Sequence, residues 1–128
     1  MNILLIEDDD VTIFINTRVI KTTSPDAQIL LAKNGREAIA LLKNETALDL
    51  IIVDGSMPDI DGWEFIQIIQ GVEFSLYQNT PIVLLTSSIL DEDFIKTNKL
   101  GRVKHIFNKP LDQCKFNTML NMITDLNS

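Results

Sequence analysis

Charged and hydroxyl side chains stand at the ends of four short apolar runs in this 128-residue chain. They are Glu7 and Asp8, then Asp54, then Thr86 with Ser87, and finally Lys109. Clustered carboxylates repel one another unless a divalent cation or a lysine neutralises them. Oxygen donors with room for phosphate and water suit Mg²⁺, and a hydroxyl and an ammonium beside that ion suit phosphate oxygens. If these runs meet in the fold, their ends predict a magnesium-dependent phosphoryl-transfer site.

Asp54 is the candidate nucleophile of that site. It ends the apolar run Leu50 to Val53 and is followed by a loop rich in glycine and proline. A carboxylate is already ionised, so its attack on phosphorus needs no general base, and catalysis rests on in-line positioning and charge neutralisation. Each residue also has an ordinary structural interpretation: the acidic residues and Thr86 could cap helices, and Lys109 could be a surface charge. Taken together, these residues indicate a function because each of them stands at the end of an apolar run.

Five apolar runs predict the strands that would position these residues. Runs without alternation are typical of strands covered on both faces, as in a parallel sheet. The predicted strands are Asn2 to Ile6, Gln28 to Ala32, Leu50 to Val53, Ile82 to Leu85 and Val103 to Phe107. In open α/β sheets, ligands bind outside the carboxyl ends of the strands, which is where the charged residues stand.

Apolar residues at helical spacing predict a helix after each strand. The predicted starts are Val11 with Asp9 or Asp10 as its cap, Asn34 with Glu37 in a capping arrangement, Gly62, Asp91, and the segment before Phe116. Strands that alternate with helices indicate βαβ units, right-handed crossovers and helices on both faces of a parallel sheet. The fold class is therefore a doubly wound, five-stranded α/β domain.

Several helices carry more detailed predictions. In the first, Val11, Phe14, Ile15 and Val19 fall at helical spacing. A polar connection is expected between the third helix and Pro81. The fourth helix, about Asp91 to Leu100, is thin in apolar residues, and Gly101 is its natural C-terminal cap. The last helix carries a core-facing stripe of Phe116, Met119, Leu120 and Ile123.

Length and composition narrow the class of protein. A chain of 128 residues fits one domain, predicted here as 1–128. Its net charge of −7 argues against nucleic acid or an anionic membrane as the main partner. Cys114 is the single cysteine, so an intrachain disulfide is excluded. No apolar run approaches the roughly 20 residues that span a bilayer, and the start lacks a signal sequence, so we expect a cytoplasmic location.

The ordered set of motifs resembles the receiver domain of bacterial two-component response regulators, from Asn2 to about Leu126. The matching pieces are ILLIEDDD after the first strand, DGSMPDIDG from Asp54 to Gly62, the ending Leu85-Thr86-Ser87, and Asn108-Lys109-Pro110. The resemblance implies the flavodoxin-like strand order 2-1-3-4-5. A lone Lys-Pro pair carries no signal, but the set in this order is highly specific.

The resemblance also implies a role for each residue. Asp54 would accept a phosphoryl group from a phosphohistidine, Asp8 would bind Mg²⁺ directly, and Glu7 would bind it through water. Asp54 and the backbone carbonyl of Ser56 would complete the protein ligands of the ion. The remaining pair, Thr86 and Lys109, would contact phosphoryl oxygens, and the Lys109–Pro110 bond would be cis. Gly62 would allow a tight exit into the third helix.

One position departs from the family pattern. The residue that is usually aromatic, and that swings as the hydroxyl residue moves, is Ile106 here. Phe107 is its neighbour, but alternation along a strand points that ring to the other face. His105, the only histidine, is expected at the surface or strand edge with no proton-transfer role. Ser56 and Ser88 occupy positions that tune the lifetime of the acyl phosphate, and both are small and neutral.

The implied function is a signalling switch, not an enzyme beyond its own phosphorylation and dephosphorylation. The donor would be a sensor histidine kinase or a histidine phosphotransfer protein. Phosphorylation adds roughly −1.5 to −2 charge at Asp54, and the fourth helix, fifth strand and fifth helix would then shift and be read by a downstream protein partner. A stand-alone receiver of this kind could be a monomer or a phosphorylation-dependent dimer.

Three alternatives share parts of this pattern. A haloacid-dehalogenase phosphatase also uses an aspartyl phosphate and Mg²⁺, but it requires a second Asp two residues after the nucleophile, where Ser56 stands. A flavodoxin-like cofactor domain needs a Ser/Thr/Gly-rich phosphate loop after the first strand, whereas an acidic loop here would repel phosphate. A degenerate receiver that only binds partners would be expected to lack site residues that this chain retains.

Overall fold

The computed structural model describes residues 1–87 and 89–127, and for residues 91, 94, 97, 98, 100 and 124–127 it describes the backbone alone. Strands and α-helices alternate along this part of the chain, as predicted. The strands are β1 (Asn2–Ile6), β2 (Gln28–Ala32), β3 (Leu50–Asp54), β4 (Ile82–Thr86) and β5 (Val103–Asn108). The helices are α1 (Asp10–Thr23), α2 (Gly35–Lys43), α3 (Gly62–Ile68), α4 (Asp91–Leu100) and α5 (Gln113–Asn127).

The strands form one parallel sheet in the order β2-β1-β3-β4-β5. In its centre, Leu4 of β1 pairs with Ile51 of β3, and Val53 pairs with Leu84 of β4. This order confirms the flavodoxin-like fold class. Because all strands run the same way, their carboxyl ends lie at one edge, and the topology changes direction beside β1 and β3, where such folds bind ligands.

Alternate residues of each strand supply two separate cores, one on either face of the sheet. One core holds α2 and α3 against residues that include Leu4, Ile51, Val53, Leu84 and Ile106. The other holds α1 and α5 against residues that include Ile3, Leu5, Ile52, Val83 and Phe107. Burial on both faces explains why the strands read as continuous apolar runs.

Side-chain caps fix where the helices begin. Carboxylate or amide oxygens at the N-cap accept a backbone N–H from the first turn, which satisfies a donor that the helix itself cannot pair. The four pairs are Asp9 with Thr12 N at 2.8 Å, Asn34 with Glu37 N at 2.9 Å, Asp61 with Glu64 N at 2.8 Å, and Asp112 with Lys115 N at 2.8 Å. Asp9, not Asp10, therefore caps α1.

The connection between α3 and Pro81 is more ordered than the sequence pattern indicated. It contains a 3₁₀ helix, Val72–Tyr77, in which Phe74 and Tyr77 are buried. The Tyr77 hydroxyl donates hydrogen bonds to the carbonyls of Leu42 at 3.1 Å and Thr46 at 2.8 Å. The prediction of a polar connection was wrong because two isolated aromatic residues are buried here and stabilise the segment. Isolated residues produce no periodic pattern from which the sequence could have predicted the helix.

Helix α1 is confirmed, but most of its apolar stripe faces solvent. Val11 and Phe14 are 67% and 64% exposed, while Ile20 and the polar Asn16 are buried. Neither the amide nitrogen nor the amide oxygen of Asn16 has a hydrogen-bond partner among the residues that the structure describes. Helical spacing therefore identified the element correctly but did not identify the face that packs on the sheet.

The remaining helix predictions hold. Gly101 follows α4 with φ +69°, the left-handed conformation that favours glycine at a helix C-terminus. In α5, Phe116 and Met119 are buried, and Leu120 and Ile123 pack partly buried beside them. Among residues 1–87 and 89–127, no helix has the length and apolar character needed to cross a membrane.

Candidate active site

Asp54 is the last residue of β3 and lies at the carboxyl edge of the sheet. The strand buries it, so that the whole residue is only 4% exposed. The backbone N–H of Ser56 donates to Asp54 Oδ1 over 3.1 Å, and this bond fixes one carboxylate oxygen. Asp54 therefore stands where the sequence placed its candidate nucleophile.

Glu7 and Asp8 follow β1 beside Asp54. Glu7 is 1% exposed, and its Oε2 accepts the backbone N–H groups of Asp8 at 3.1 Å and Asp9 at 3.3 Å. Asp8 is exposed. Glu7, Asp8 and Asp54 each offer a carboxylate oxygen, and these atoms lie within 4.8 Å of one another. The structure thus brings the three predicted carboxylates together.

Lys109, the residue after β5, reaches into this cluster. Its Nζ lies 2.8 Å from Glu7 Oε1 and 3.1 Å from Asp54 Oδ1. Its backbone N–H donates to the carbonyl of Thr86 over 2.7 Å, which joins the ends of β4 and β5. The Lys109–Pro110 peptide bond is cis, as predicted. One ammonium therefore bridges two buried carboxylates contributed by different strands.

Burial and close charges shift the pKa values in this cluster. Burial, followed by the hydrogen bond to the Asp54 carboxyl, raises the pKa of Glu7 from its ordinary 4.5 to about 7, although Lys109 acts against this rise. For Lys109, burial lowers the pKa, but the combined attraction of Glu7 and Asp54 outweighs burial and raises it. The lysine is therefore held in its charged form, while Glu7 holds its proton more strongly than a free glutamate.

Thr86 ends β4 on the other side of Asp54. A Cβ added at Gly55 would lie 3.4 Å from the Thr86 Cβ, which places the threonine against the loop that follows Asp54. Thr86 is half-buried and Ser87 is exposed. Ser88 lies outside the described residues, so its predicted influence on phosphate lifetime stays a prediction. The hydroxyl residue and the acidic cluster nevertheless meet at one edge.

Gly62 begins α3 directly beneath the site. A Cβ at this position would lie 2.5 Å from the carbonyl oxygen of Asp54, far inside any tolerated contact. The sequence prediction that Gly62 permits a tight exit is confirmed, and the physical reason is the close approach of two backbones. The first turn of α3 thereby supports the candidate nucleophile.

The positions of residues 105–107 of β5 are also clear. Ile106 is buried in the core beneath α2 and α3, whereas Phe107 belongs to the opposite core, as alternation predicted. His105 is exposed and packs edge-on against Phe107, with ring centroids 4.6 Å apart. Neither Ile106 nor His105 contributes a polar group to the cluster of Glu7, Asp54 and Lys109.

Two pairs of interacting side chains near the site were not predicted from the sequence. Arg36 of α2 pairs with Asp59, a residue of the loop after Asp54 that adopts φ 69°. The Trp63 indole of α3 donates a hydrogen bond to Asp93 of α4. Nothing in the sequence around Arg36 or Asp59 indicates that they pair. A capping role for Asp93 could have been predicted, because an acidic residue at the third position of a helix is typical of a cap.

The residues present fit a magnesium ion. Glu7, Asp8 and Asp54 are hard oxygen donors, and when all are ionised they exceed the charge of Lys109 by two negative charges. A divalent cation relieves that excess, and carboxylates with room for water suit Mg²⁺ better than softer metals. The same edge places an ammonium and a hydroxyl where they could contact a tetrahedral anion on Asp54.

A parallel flavodoxin-like sheet with clustered carboxylates and a lysine at its carboxyl edge defines a class of phosphoacceptor domains. Residues 3–121 match the family model of the response regulator receiver domain. The chain therefore belongs to the receiver domain family of two-component signalling, whose members act as switches and partner with histidine kinases or phosphotransfer proteins.

Individual relatives agree with this assignment. The two-component response regulator ARR22 of Arabidopsis thaliana is 29% identical over 98% of this chain and 84% of its own length. The sensor histidine kinase CheAY of Helicobacter pylori is 30% identical over 61% of this chain but only 10% of its own length. A solved two-component response regulator from Cytophaga hutchinsonii is 28% identical, covers 97% of this chain and 96% of its own, and superposes with a TM-score of 0.84.

Proposed function

We propose that this chain, residues 1–128, is a receiver domain that accepts a phosphoryl group on Asp54 from a phosphohistidine and thereby switches a surface for partner binding. The donor is a sensor histidine kinase or a histidine phosphotransfer protein, and the reaction takes place in the cytoplasm. One observation carries the proposal: the Lys109 ammonium lies 2.8 Å from Glu7 and 3.1 Å from Asp54, in a cluster that also includes Asp8.

The proposed reaction needs few groups. An oxygen of Asp54 forms a bond to phosphorus while the bond from phosphorus to the donor imidazole nitrogen breaks, and its electron pair stays on that nitrogen. Ser56 N–H, at 3.1 Å from Asp54 Oδ1, orients the attacking carboxylate. Burial of Asp54 limits access of bulk water, and the Lys109 ammonium offsets charge on the transferred group.

Mg²⁺ would be held by Asp8 and Asp54 directly, by the carbonyl of Ser56, and by Glu7 through water. When bound, it would neutralise charge on the phosphoryl oxygens and lower their repulsion from the acidic cluster. Thr86, at the end of β4, contacts a phosphoryl oxygen after transfer. The face formed by α4, β5 and α5 then changes and is recognised by a downstream protein, by a second copy of the chain, or by both in turn.

The experiment that tests this proposal is phosphorylation by a small donor. The protein is incubated with Mg²⁺ and acetyl phosphate, and intact mass is used to look for a single phosphoryl adduct that is stable in acid and labile in base. We expect the adduct in the wild type, its loss when Mg²⁺ is chelated, and its loss in Asp54→Asn.

Asp59→Asn is the matched control, because Asp59 is an exposed carboxylate in the same loop that pairs with Arg36 and lies outside the acidic cluster. This variant is expected to keep the adduct. An adduct that survives in Asp54→Asn would refute Asp54 as the phosphoacceptor. No adduct in the wild type, with Mg²⁺ binding demonstrated by titration and no transfer from a phosphohistidine donor, would leave a domain that only binds partners.

A further inference from the structure

Helices α3 and α4 are joined at their first turns by a buried hydrogen bond. The indole Nε1 of Trp63 donates to Asp93 Oδ1 over 3.2 Å, and both residues are only 8% exposed. The Nζ of Lys96, one turn further along α4, lies 5.9 Å from the centre of the same indole ring. A single side chain of α3 therefore contacts α4 through both its ring edge and its ring face.

The Asp93 carboxylate also accepts a second hydrogen bond, at the start of α4. Its Oδ2 accepts the backbone N–H of Leu90 over 2.8 Å, and its own backbone N–H donates to the Leu90 carbonyl over 2.9 Å. Leu90 precedes α4 and has no side-chain oxygen with which to cap it, so this reciprocal pair supplies the cap. One carboxylate thus fixes the start of α4 and also holds that start to α3.

This junction borders the proposed phosphorylation site. A cleft of about 390 Å³ is lined by residues that include Ser56, Thr86, Trp63, Leu90 and Asp93. Trp63 is the one aromatic residue among the described residues that line it. Only three residues separate Thr86 from Leu90 in the sequence, so we expect a displacement of Thr86 to reach the residue whose N–H and carbonyl pair with Asp93.

We propose that the Trp63–Asp93 hydrogen bond restrains α4 in the unphosphorylated protein, and that phosphorylation of Asp54 releases this restraint. The inference rests on the proposed function. The aromatic residue that usually responds on β5 is replaced by Ile106, a buried aliphatic side chain without a polar group. Trp63 of α3 provides an aromatic ring with a hydrogen-bond donor, and its partner Asp93 lies on α4, which moves in the proposed function.

The test uses the fact that Trp63 is the only tryptophan in the sequence. A ¹⁵N-labelled sample therefore gives one indole N–H resonance, whose proton shift reports the hydrogen bond directly. We expect a downfield proton shift in the metal-loaded wild type and an upfield shift in Asp93→Ala. Phosphorylation with acetyl phosphate should move the wild-type resonance toward its position in Asp93→Ala and leave that variant's resonance nearly unchanged. Intact mass is measured on the same samples.

Phosphorylation rates give a second readout. If the hydrogen bond favours the unphosphorylated state, its loss should speed phosphorylation by acetyl phosphate about fivefold, the factor expected for one net hydrogen bond. Asp93→Ala removes the acceptor, and Trp63→Phe removes the donor while keeping an aromatic ring. Both are expected to speed the reaction. Glu92→Gln is the matched control, since Glu92 is exposed, lies on the same helix and borders the same cleft, and its rate should match the wild type.

The possible failures are distinct from one another. No adduct in any sample means that the proposed function fails and the inference fails with it. An adduct that leaves the indole resonance in place overturns the inference alone. A faster reaction in Asp93→Ala but not in Trp63→Phe also overturns it, because the effect would then come from the lost cap of α4 and not from the bond to α3.

Discussion

The two sides of the site differ in how firmly their side chains are held. Where β1, β3 and β5 end, Glu7 and Asp54 are buried and both pair with the Lys109 ammonium. Where β4 leads into α4, Thr86 is half-buried, and Ile95 on α4 is 66% exposed. We call these the charged side and the α4 side. The comparison indicates a division of labour: the charged side is organised before phosphate arrives, whereas Thr86 and Ile95 on the α4 side are more exposed to water.

Substitution of Lys109 is the most direct test of the charged side. We expect Lys109→Ala to slow phosphorylation by acetyl phosphate about a hundredfold, because a fixed cation that offsets charge in the transition state is lost. Lys104→Ala is the control, since Lys104 is an exposed lysine of the same strand and should react at the wild-type rate. Initial rates by intact mass decide the matter, and a Lys109→Ala rate within a factor of about three of the wild type would contradict the proposed role.

The pH dependence of the free energy of unfolding tests the charged side in the absence of phosphate. The folded protein holds the Glu7 proton up to about pH 7, whereas the free side chain releases it near 4.5. Raising the pH through this interval therefore favours the unfolded state, by a loss on the order of 3 kcal/mol in the free energy of unfolding. The pKa values of Asp9 and Asp59 are lowered from 3.8, so their stabilising contributions are lost only at lower pH.

Urea unfolding in EDTA from about pH 4.5 to 8 measures this loss. We expect Glu7→Gln to flatten the dependence between about pH 4.5 and 7, while Glu73→Gln, at an exposed position of the 3₁₀ helix, keeps it. Added Mg²⁺ should stabilise the wild type more at pH 7.5 than at pH 5.5, because protons compete with the ion for these oxygens. A wild-type curve without a fall over the same interval would show that burial does not retain the Glu7 proton.

Ile106 tests whether β5 retains space for the usual aromatic switch. Its side chain is 7% exposed and packed in the core beneath α2 and α3. We expect Ile106→Tyr to lower the free energy of unfolding by about 1–3 kcal/mol, because a larger ring must displace packed neighbours. Lys104→Tyr, at an exposed position of the same strand, should change it by less than about 0.5 kcal/mol. An Ile106→Tyr protein as stable as the wild type would reveal room for a ring that the structure does not show.

The smallest effect is expected on the α4 side. Ile95→Ala should change the free energy of unfolding by less than about 0.5 kcal/mol, because most of this side chain already contacts water. Ile66→Ala on α3, a fully buried position, should lower it by about 2–5 kcal/mol. A loss above about 1 kcal/mol in Ile95→Ala would mean that α4 is packed as firmly as the charged side, and the comparison would no longer hold.

The sequence was sufficient to predict most of the fold, because the determining signals are local. Strands buried on both faces appear as apolar runs, and caps such as Asn34 with Glu37 mark helix starts. The 3₁₀ helix after α3 was missed because Phe74 and Tyr77 are buried through contacts distant in the chain. The exposed stripe of α1 shows the same limit: periodicity identifies a helix, but packing decides which face is buried.

The site, like the fold, has a part that the sequence could predict and a part that it could not. Strand endings predicted that Glu7, Asp8, Asp54 and Lys109 would meet, because a parallel sheet carries all such endings to one edge. The pairs Arg36 with Asp59 and Trp63 with Asp93 depend on how helices pack across loops, and no spacing rule connects residues so far apart. The raised pKa of Glu7 likewise depends on burial that only the folded structure defines.

Gly62 has a consequence for how this chain can vary over evolutionary time. A side chain there would meet the carbonyl oxygen of Asp54 at 2.5 Å, so even the smallest replacement displaces the backbone of the phosphoacceptor. In a library of random variants selected for phosphorylation, position 62 should be as intolerant of substitution as position 54, although it takes no part in the chemistry. The two positions are constrained for different reasons, Asp54 by its carboxylate and Gly62 by the backbone beside it, so a lineage that abandons phosphorylation relaxes the constraint on Asp54 alone.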